Sequence, residues 1–180
     1  MKLIRKFTLL CLMALVCACG KGDVEEESYK YEAVFIGDSI THGSTSSYAS
    51  MTYAHQVARM LDAEVVNQGI GGERFNPRAV DDQMDFYKPD LVSVAYGTND
   101  WSCRDQDRFR QCCGEFFENL VNHYPATPIF AITPIWRADL DRQTKVGSFD
   151  SVEAYIKTVT APLANVTVIE GFDLVPQDTA

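Results

Sequence analysis

From Ala33 onward the chain alternates short, nearly continuous apolar runs with longer amphipathic ones, and this alternation constrains the fold more than any other feature. The apolar runs lie at residues 33–36, 64–67, 91–96, 128–133 and 166–170. Between them the spacing predicts helices. Residues 48–61 carry Tyr53, Val57, Met60 and Leu61 at helical intervals, and residues 76–87 have Pro77 near their start and Pro89 just past their end. Residues 104–123 carry Phe109, Cys112, Phe116, Leu120 and Val121 on one stripe, and residues 149–163 complete the set. Strands that are apolar along their whole length are covered on both faces, which is the signature of a parallel sheet between helical layers. The expected fold is therefore α/β, a three-layer α/β/α domain with a five-stranded, mainly parallel sheet. Right-handed crossovers place the C-terminal ends of such strands on one edge, where ligands bind.

The first three strands end in polar and glycine clusters: Gly37-Asp38-Ser39, then Asn67-Gln68-Gly69-Ile70-Gly71-Gly72, then Gly97-Thr98-Asn99-Asp100. In a parallel sheet these ends converge. The chemistry they suit is acyl transfer. Ser39 stands on a rigid strand end as a candidate nucleophile, and the segment after it opens a helix whose first N–H groups have no partner within the helix. An oxyanion formed by attack on an ester carbonyl needs preorganised donors. The Ser39 N–H, the Gly72 N–H and the Asn99 side-chain amide are candidates for that task. Taken singly, each cluster has a plainer reading: Asp38 and Ser39 as a helix cap, the glycines as a flexible turn, Asn99 as another cap.

The three clusters together, GDSI at 37–40, VVNQGIGG at 65–72 and GTND at 97–100, resemble in order and spacing the first three sequence blocks of the SGNH, or GDSL, hydrolase superfamily. The resemblance covers most of the domain. It implies a flavodoxin-like α/β/α fold, Ser39 as nucleophile, and Gly72 and Asn99 as oxyanion-hole partners of the Ser39 amide, with no metal and no cofactor. It also implies a base, a histidine in a D-x-x-H-P block after the last strand. No such block occurs among the 180 residues, which close on GFDLVPQDTA, a stretch of the kind found just upstream of the block in related proteins. The expectation is a C-terminally shortened domain. The three histidines offer substitutes of unequal merit. His42 lies three residues after Ser39 and suits loop shaping or substrate contact, His55 falls within a helix, and His123 lies near a helix C-terminus where a cation is favoured. Asp38, His42, Trp101 and Trp136 are candidate substrate contacts, the two tryptophans having ordinary edge packing as their alternative. Arg74 and Arg137 are weaker candidates of the same kind.

The first 18 residues read as a targeting segment, with Lys2, Arg5 and Lys6 ahead of a short apolar stretch at residues 7–16. The end of that segment resembles a bacterial lipoprotein signal, with Cys19, preceded by the small Ala18, as the lipidated residue; an ordinary cleaved signal is the alternative. Residues 19–28 are polar and acidic and read as a tether, leaving residues 29–180 as one domain. The expected location is the bacterial cell envelope, exported and lipid-anchored. The formal charge is −9, and losing the three leader cations takes the remainder to −12. Such a surface disfavours nucleic acid and anionic lipid heads. The expected partners are a small-molecule or polysaccharide ester substrate and the membrane, reached through the anchor. Cys103, Cys112 and Cys113 lack zinc-ligand spacing; in an exported protein Cys103 could pair with either of the others, or all three could be free thiols.

The functional expectation is hydrolysis of carboxylic esters, carbohydrate O-acetyl esters in particular, through an acyl-Ser39 intermediate. Its alternatives are a catalytically impaired chain that binds an acylated glycan, and a fragment with an exposed apolar sheet face.

Overall fold

A computed structural model describes residues 28–80 and 88–177. The leader, Cys19, all of the acidic tether except Ser28, and the second half of the helix expected at 76–87 lie outside the described residues. Five strands form one sheet: β1 (Tyr31–Gly37), β2 (Ala63–Gly69), β3 (Leu91–Ala95), β4 (Ile129–Ile132) and β5 (Val166–Ile169). Their order is β2-β1-β3-β4-β5 and every pairing is parallel. The chain thus steps from β1 outward to β2, then crosses back to β3 on the other side. The gap between β1 and β3 is the switch point at which such sheets open a ligand crevice.

Register makes that crevice level. Gly37 pairs with Gly69 on one side and with Ala95 on the other. All three polar clusters therefore leave the sheet at the same height.

The two faces of β1 follow the period of two. Val34 and Ile36, with Val92 and Val94 of β3, face the main core. There they meet Phe109, Phe116, Phe117 and Leu120 of α4 (Gln106–His123) and Val152 and Ile156 of α5 (Phe149–Thr160). Ala33 and Phe35 face the opposite side, where they pack on Ala54 and Ala58 of α2 (Tyr53–Leu61). Two further α-helices among the described residues are short: α1 (Ser39–His42) and α3 (Thr98–Cys103). Side-chain caps start α2 and α4, with Thr52 accepting from the His55 N–H and Asp105 from the Arg108 N–H.

Several expectations change. The helix foreseen at 48–61 is a 3₁₀ turn, Ala49–Met51, followed by α2. Its buried stripe is Ala54 and Ala58; Met60 is 83% exposed and Val57 and Leu61 are exposed too. Small side chains let α2 lie close on the sheet, so the larger residues on either side of that line are left outside. The described start of the 76–87 segment is a 3₁₀ turn, Pro77–Val80. Helix α3 was not foreseen, and α4 starts two residues later than expected. Cys103 is exposed while Cys112 and Cys113 are buried, and all three are free thiols, so the disulfide alternative is set aside.

Among the described residues, helix α2 covers only part of its face of the sheet. Beside it a groove of about 570 Å³ runs over β3, β4 and β5. Leu91, Phe130, Ile132 and Ile169 line its floor, Tyr53, Val57 and Leu61 one wall, and Leu174 and Val175 the other.

Candidate active site

The site begins where β1 runs out. Asp38 caps α1: its Oδ1 accepts the Ile40 N–H at 2.9 Å. Ser39 is the first residue of that helix and is half-buried. Among the described residues its hydroxyl makes no hydrogen bond. A single turn this short needs outside support, and β2 supplies it. The Asn67 Nδ2 donates to the Thr41 carbonyl at 2.8 Å, while the Asn67 Oδ1 accepts the Gly69 N–H at 2.9 Å. Thr41 and Tyr53 share a hydroxyl–hydroxyl bond of 2.9 Å, which ties α1 to α2. Gly69 is required by contact: a Cβ there would strike the His42 backbone.

The second cluster turns at residues 70–73, where the Glu73 N–H donates to the Ile70 carbonyl at 3.1 Å. Gly72 sits at the third position of that turn with φ +75°, the conformation a type II turn demands there and that glycine adopts without strain. Gly72 is exposed, and its N–H makes no backbone hydrogen bond among the described residues.

The third cluster brings the other two together. Gly97, at φ +118°, starts α3 and sets Asn99 in its first turn. The Asn99 Nδ2 donates to the Glu73 carbonyl at 2.9 Å and to the Asp38 Oδ2 at 3.4 Å. One side-chain amide thus joins the residue before Ser39 to the residue after Gly72. Asp38 is 2% exposed, and burial pushes its carboxyl above the usual carboxylate range, against the Ile40 amide. Beside Asn99, Asp100 is fully buried and accepts the Phe75 N–H at 3.2 Å and the Arg104 Nη1 at 2.8 Å. Burial drives its carboxyl up to about 6, outweighing the Arg104 guanidinium.

The remaining candidates lie elsewhere or are already engaged. His42 is exposed, with Nδ1 against the Gly69 carbonyl at 3.1 Å. The His55 Nδ1 lies 2.8 Å from the Thr52 hydroxyl, and His123 stacks edge-on against Tyr124. None of the three forms a hydrogen bond with Ser39. Trp101 is 0% exposed: its ring meets Phe149 edge-on, its Nε1 donates to the Gly147 carbonyl at 2.9 Å, and Arg137 and Arg142 lie over it. It is a core residue, which corrects its expected role as a substrate contact. Trp136 is half-buried on the β4–α5 connection. Arg137 is paired with Asp139. Among the described residues no group of three His, Cys, Asp or Glu is arranged to hold a metal ion. The sequence names Asp100 only as part of its cluster and leaves out its pairing with Arg104, the residue that ends α3, although an acid and an arginine four apart are a readable pair.

The chain belongs to the GDSL-like lipase/acylhydrolase family, whose pattern matches residues 35–179. It is also similar to an uncharacterized lipoprotein of Bacillus subtilis, YqeF, at 29% identity over 139 residues, covering 73% of this chain. The chain spans 55% of the length of that relative. Among solved structures, a Lactobacillus plantarum protein superposes with a TM-score of 0.65 at 21% identity, covering 81% of this chain and 78% of its own. A family two carbohydrate esterase from Clostridium thermocellum, solved with cellohexaose, superposes with a TM-score of 0.65 at 20% identity, covering 79% of this chain and 54% of its own. These likenesses show the fold.

Proposed function

We propose that this chain is a serine ester hydrolase with Ser39 as nucleophile. The observation that carries the reading is the Asn99 amide, bonded at once to Asp38 and to Glu73. It draws the nucleophile turn and the Gly72 turn to one point at the switch of the sheet. In the proposed reaction the Ser39 Oγ adds to the ester carbonyl carbon as its proton passes to solvent water. The carbonyl oxygen becomes an oxyanion facing the Ser39 N–H, the Gly72 N–H and the Asn99 Nδ2–H that otherwise makes the long 3.4 Å bond to Asp38, while the other Nδ2–H stays on the Glu73 carbonyl. The bond to the alcohol then breaks, the alcohol leaves with a proton, and water repeats the sequence to free the acid and Ser39.

Membership of the family supports ester chemistry. The shared fold of a carbohydrate esterase solved with cellohexaose supports a carbohydrate O-acetyl ester as substrate. The name of the Bacillus relative supports attachment to the envelope through a lipid on Cys19.

Among the described residues no histidine forms a hydrogen bond with Ser39. The reading therefore includes a low turnover for this chain by itself. A triad enzyme lacking a member keeps roughly 10³–10⁴-fold acceleration over water from binding and the oxyanion hole. Release of p-nitrophenol from p-nitrophenyl acetate by the purified chain tests the proposal. Turnover above that of Ser39→Ala is expected, and turnover equal to it overturns the reading.

A further inference from the structure

Both main-chain polar groups of Phe75 are held by one ion pair, in which Asp100 is fully buried and Arg104 partly so. The Asp100 Oδ2 accepts the Phe75 N–H at 3.2 Å, and the Arg104 Nη1 donates to the Phe75 carbonyl at 2.8 Å. The same Nη1 donates to the Asp100 Oδ1 at 2.8 Å, which closes the clamp. The Phe75 ring is anchored separately, edge-on to Tyr96 and Phe116 at 5.4 and 5.5 Å between centroids.

We propose that Asp100 and Arg104 are positioning residues that fix the Gly72–Phe75 loop at the distance from Asn99 that an oxyanion requires. The inference rests on the serine hydrolase reading for its catalytic meaning and on geometry alone for its structural meaning. Only Glu73 and Arg74 separate Phe75 from Gly72. Glu73 takes its own bond from Asn99, the residue next to Asp100. Apart from the turn bond between Glu73 and Ile70, every hydrogen bond that the 73–75 main chain makes outside the loop among the described residues is to residues 99, 100 and 104. The Gly72 N–H and the Asn99 Nδ2 are thereby referred to one rigid turn, α3, and not to a mobile surface loop. An ion pair is a poor way to stabilise a core, because desolvation offsets most of its attraction. Its use here fits a demand for fixed geometry. The ring contacts already anchor Phe75 to the core. The clamp adds the orientation of its peptide groups, and with it the aim of the turn that precedes it.

The test uses the full chain with Arg104→Gln, Arg104→Lys and Asp100→Asn. Two readouts are taken: kcat and KM for p-nitrophenyl acetate, and the amide resonances of Gly72 and of the Asn99 side chain. Arg104→Gln should lower kcat by about tenfold to a hundredfold at nearly constant KM, the loss expected when a donor is displaced by about an ångström. It should shift both sets of resonances. Arg104→Lys should recover most of the loss, because both bonds come from a single nitrogen that an ammonium can replace. Asp100→Asn is nearly isosteric and should shift the same resonances. Unmoved Gly72 and Asn99 resonances in Arg104→Gln and Asp100→Asn overturn the proposal. So does a kcat that stays unchanged while the resonances move, or a Lys variant no better than Gln. If the parent chain shows no turnover beyond Ser39→Ala, the hydrolase reading fails by itself and the resonances alone decide the positioning claim.

Discussion

The Asn99 side-chain amide donates to the main-chain carbonyl of Glu73 at 2.9 Å, across a gap of 26 residues in the chain. That bond connects two motifs that are each unremarkable alone. Its consequences for catalysis can be measured by shortening the side chain. Asn99→Ala removes the link to Glu73, the link to Asp38 and a proposed oxyanion donor together. A kcat loss on the order of 10²–10³-fold is expected, the range seen when one oxyanion-hole donor is removed. Steady-state kinetics against p-nitrophenyl acetate check it, and a loss confined to KM would contradict the assigned role.

Ser39→Ala should separate chemistry from stability. The Ser39 hydroxyl makes no hydrogen bond among the described residues, so its removal should alter stability by no more than about 0.5 kcal/mol. Turnover above background should vanish. Thermal unfolding alongside the esterase assay distinguishes loss of the nucleophile from loss of the fold.

Asp100 predicts a pH dependence of stability. Its carboxyl titrates near 6 in the folded chain against an ordinary value of 3.8, with burial as the main cause. Between these values the folded state holds a proton that the unfolded state has released. The contribution of Asp100 therefore favours folding at low pH and weakens as pH rises through that window. The steepest slope is about 1.4 kcal/mol per pH unit for one proton. Denaturant unfolding at intervals from pH 4 to 7 should show the stability of the parent chain falling relative to Asp100→Asn across the window and levelling off above it. A difference that grows with pH would refute the assignment.

Gly69→Ala tests how closely β2 supports α1. The added Cβ meets the His42 backbone, which has no flexible end to yield. Overpacking of this kind costs about 1–3 kcal/mol. For a domain of this size each kcal/mol lowers Tm by roughly 2–4 °C. Because α1 also carries Ser39, kcat should fall with Tm, whereas Gly71→Ala, where a Cβ meets nothing within 4 Å, should leave Tm nearly unchanged.

Much of this arrangement was legible in the residues because its signals are local. A strand buried on both faces reads as an unbroken apolar run, and a turn that needs a left-handed residue shows its glycine. For these reasons the five-stranded parallel sheet and the shared edge where the three clusters end could be anticipated. The errors have a common physical origin. Helical periodicity counts large side chains and points to Tyr53, Val57, Met60 and Leu61 as the stripe of α2, whereas close packing selects Ala54 and Ala58, with only Tyr53 of the larger four packed against them. Trp101 directly follows the Gly97–Asp100 cluster, a position that by sequence suits a pocket wall and ordinary edge packing equally. A single turn of helix separates the two faces of α3, and the indole points into the core. The Asp100–Arg104 clamp depends on where Phe75 returns to the fold, a tertiary fact that no local pattern carries.

The strip of sheet left open beside α2 has a practical corollary. Among the described residues one flank, over β3, β4 and β5, presents half-buried apolar side chains in a groove, while the opposite layer is packed under α4 and α5. A body with one oily side collects at boundaries: micelle surfaces, vessel walls and the rim of an air bubble. Detergent in the assay tube would then be a ligand in its own right, and the amount of protein in solution would become an experimental variable to be controlled.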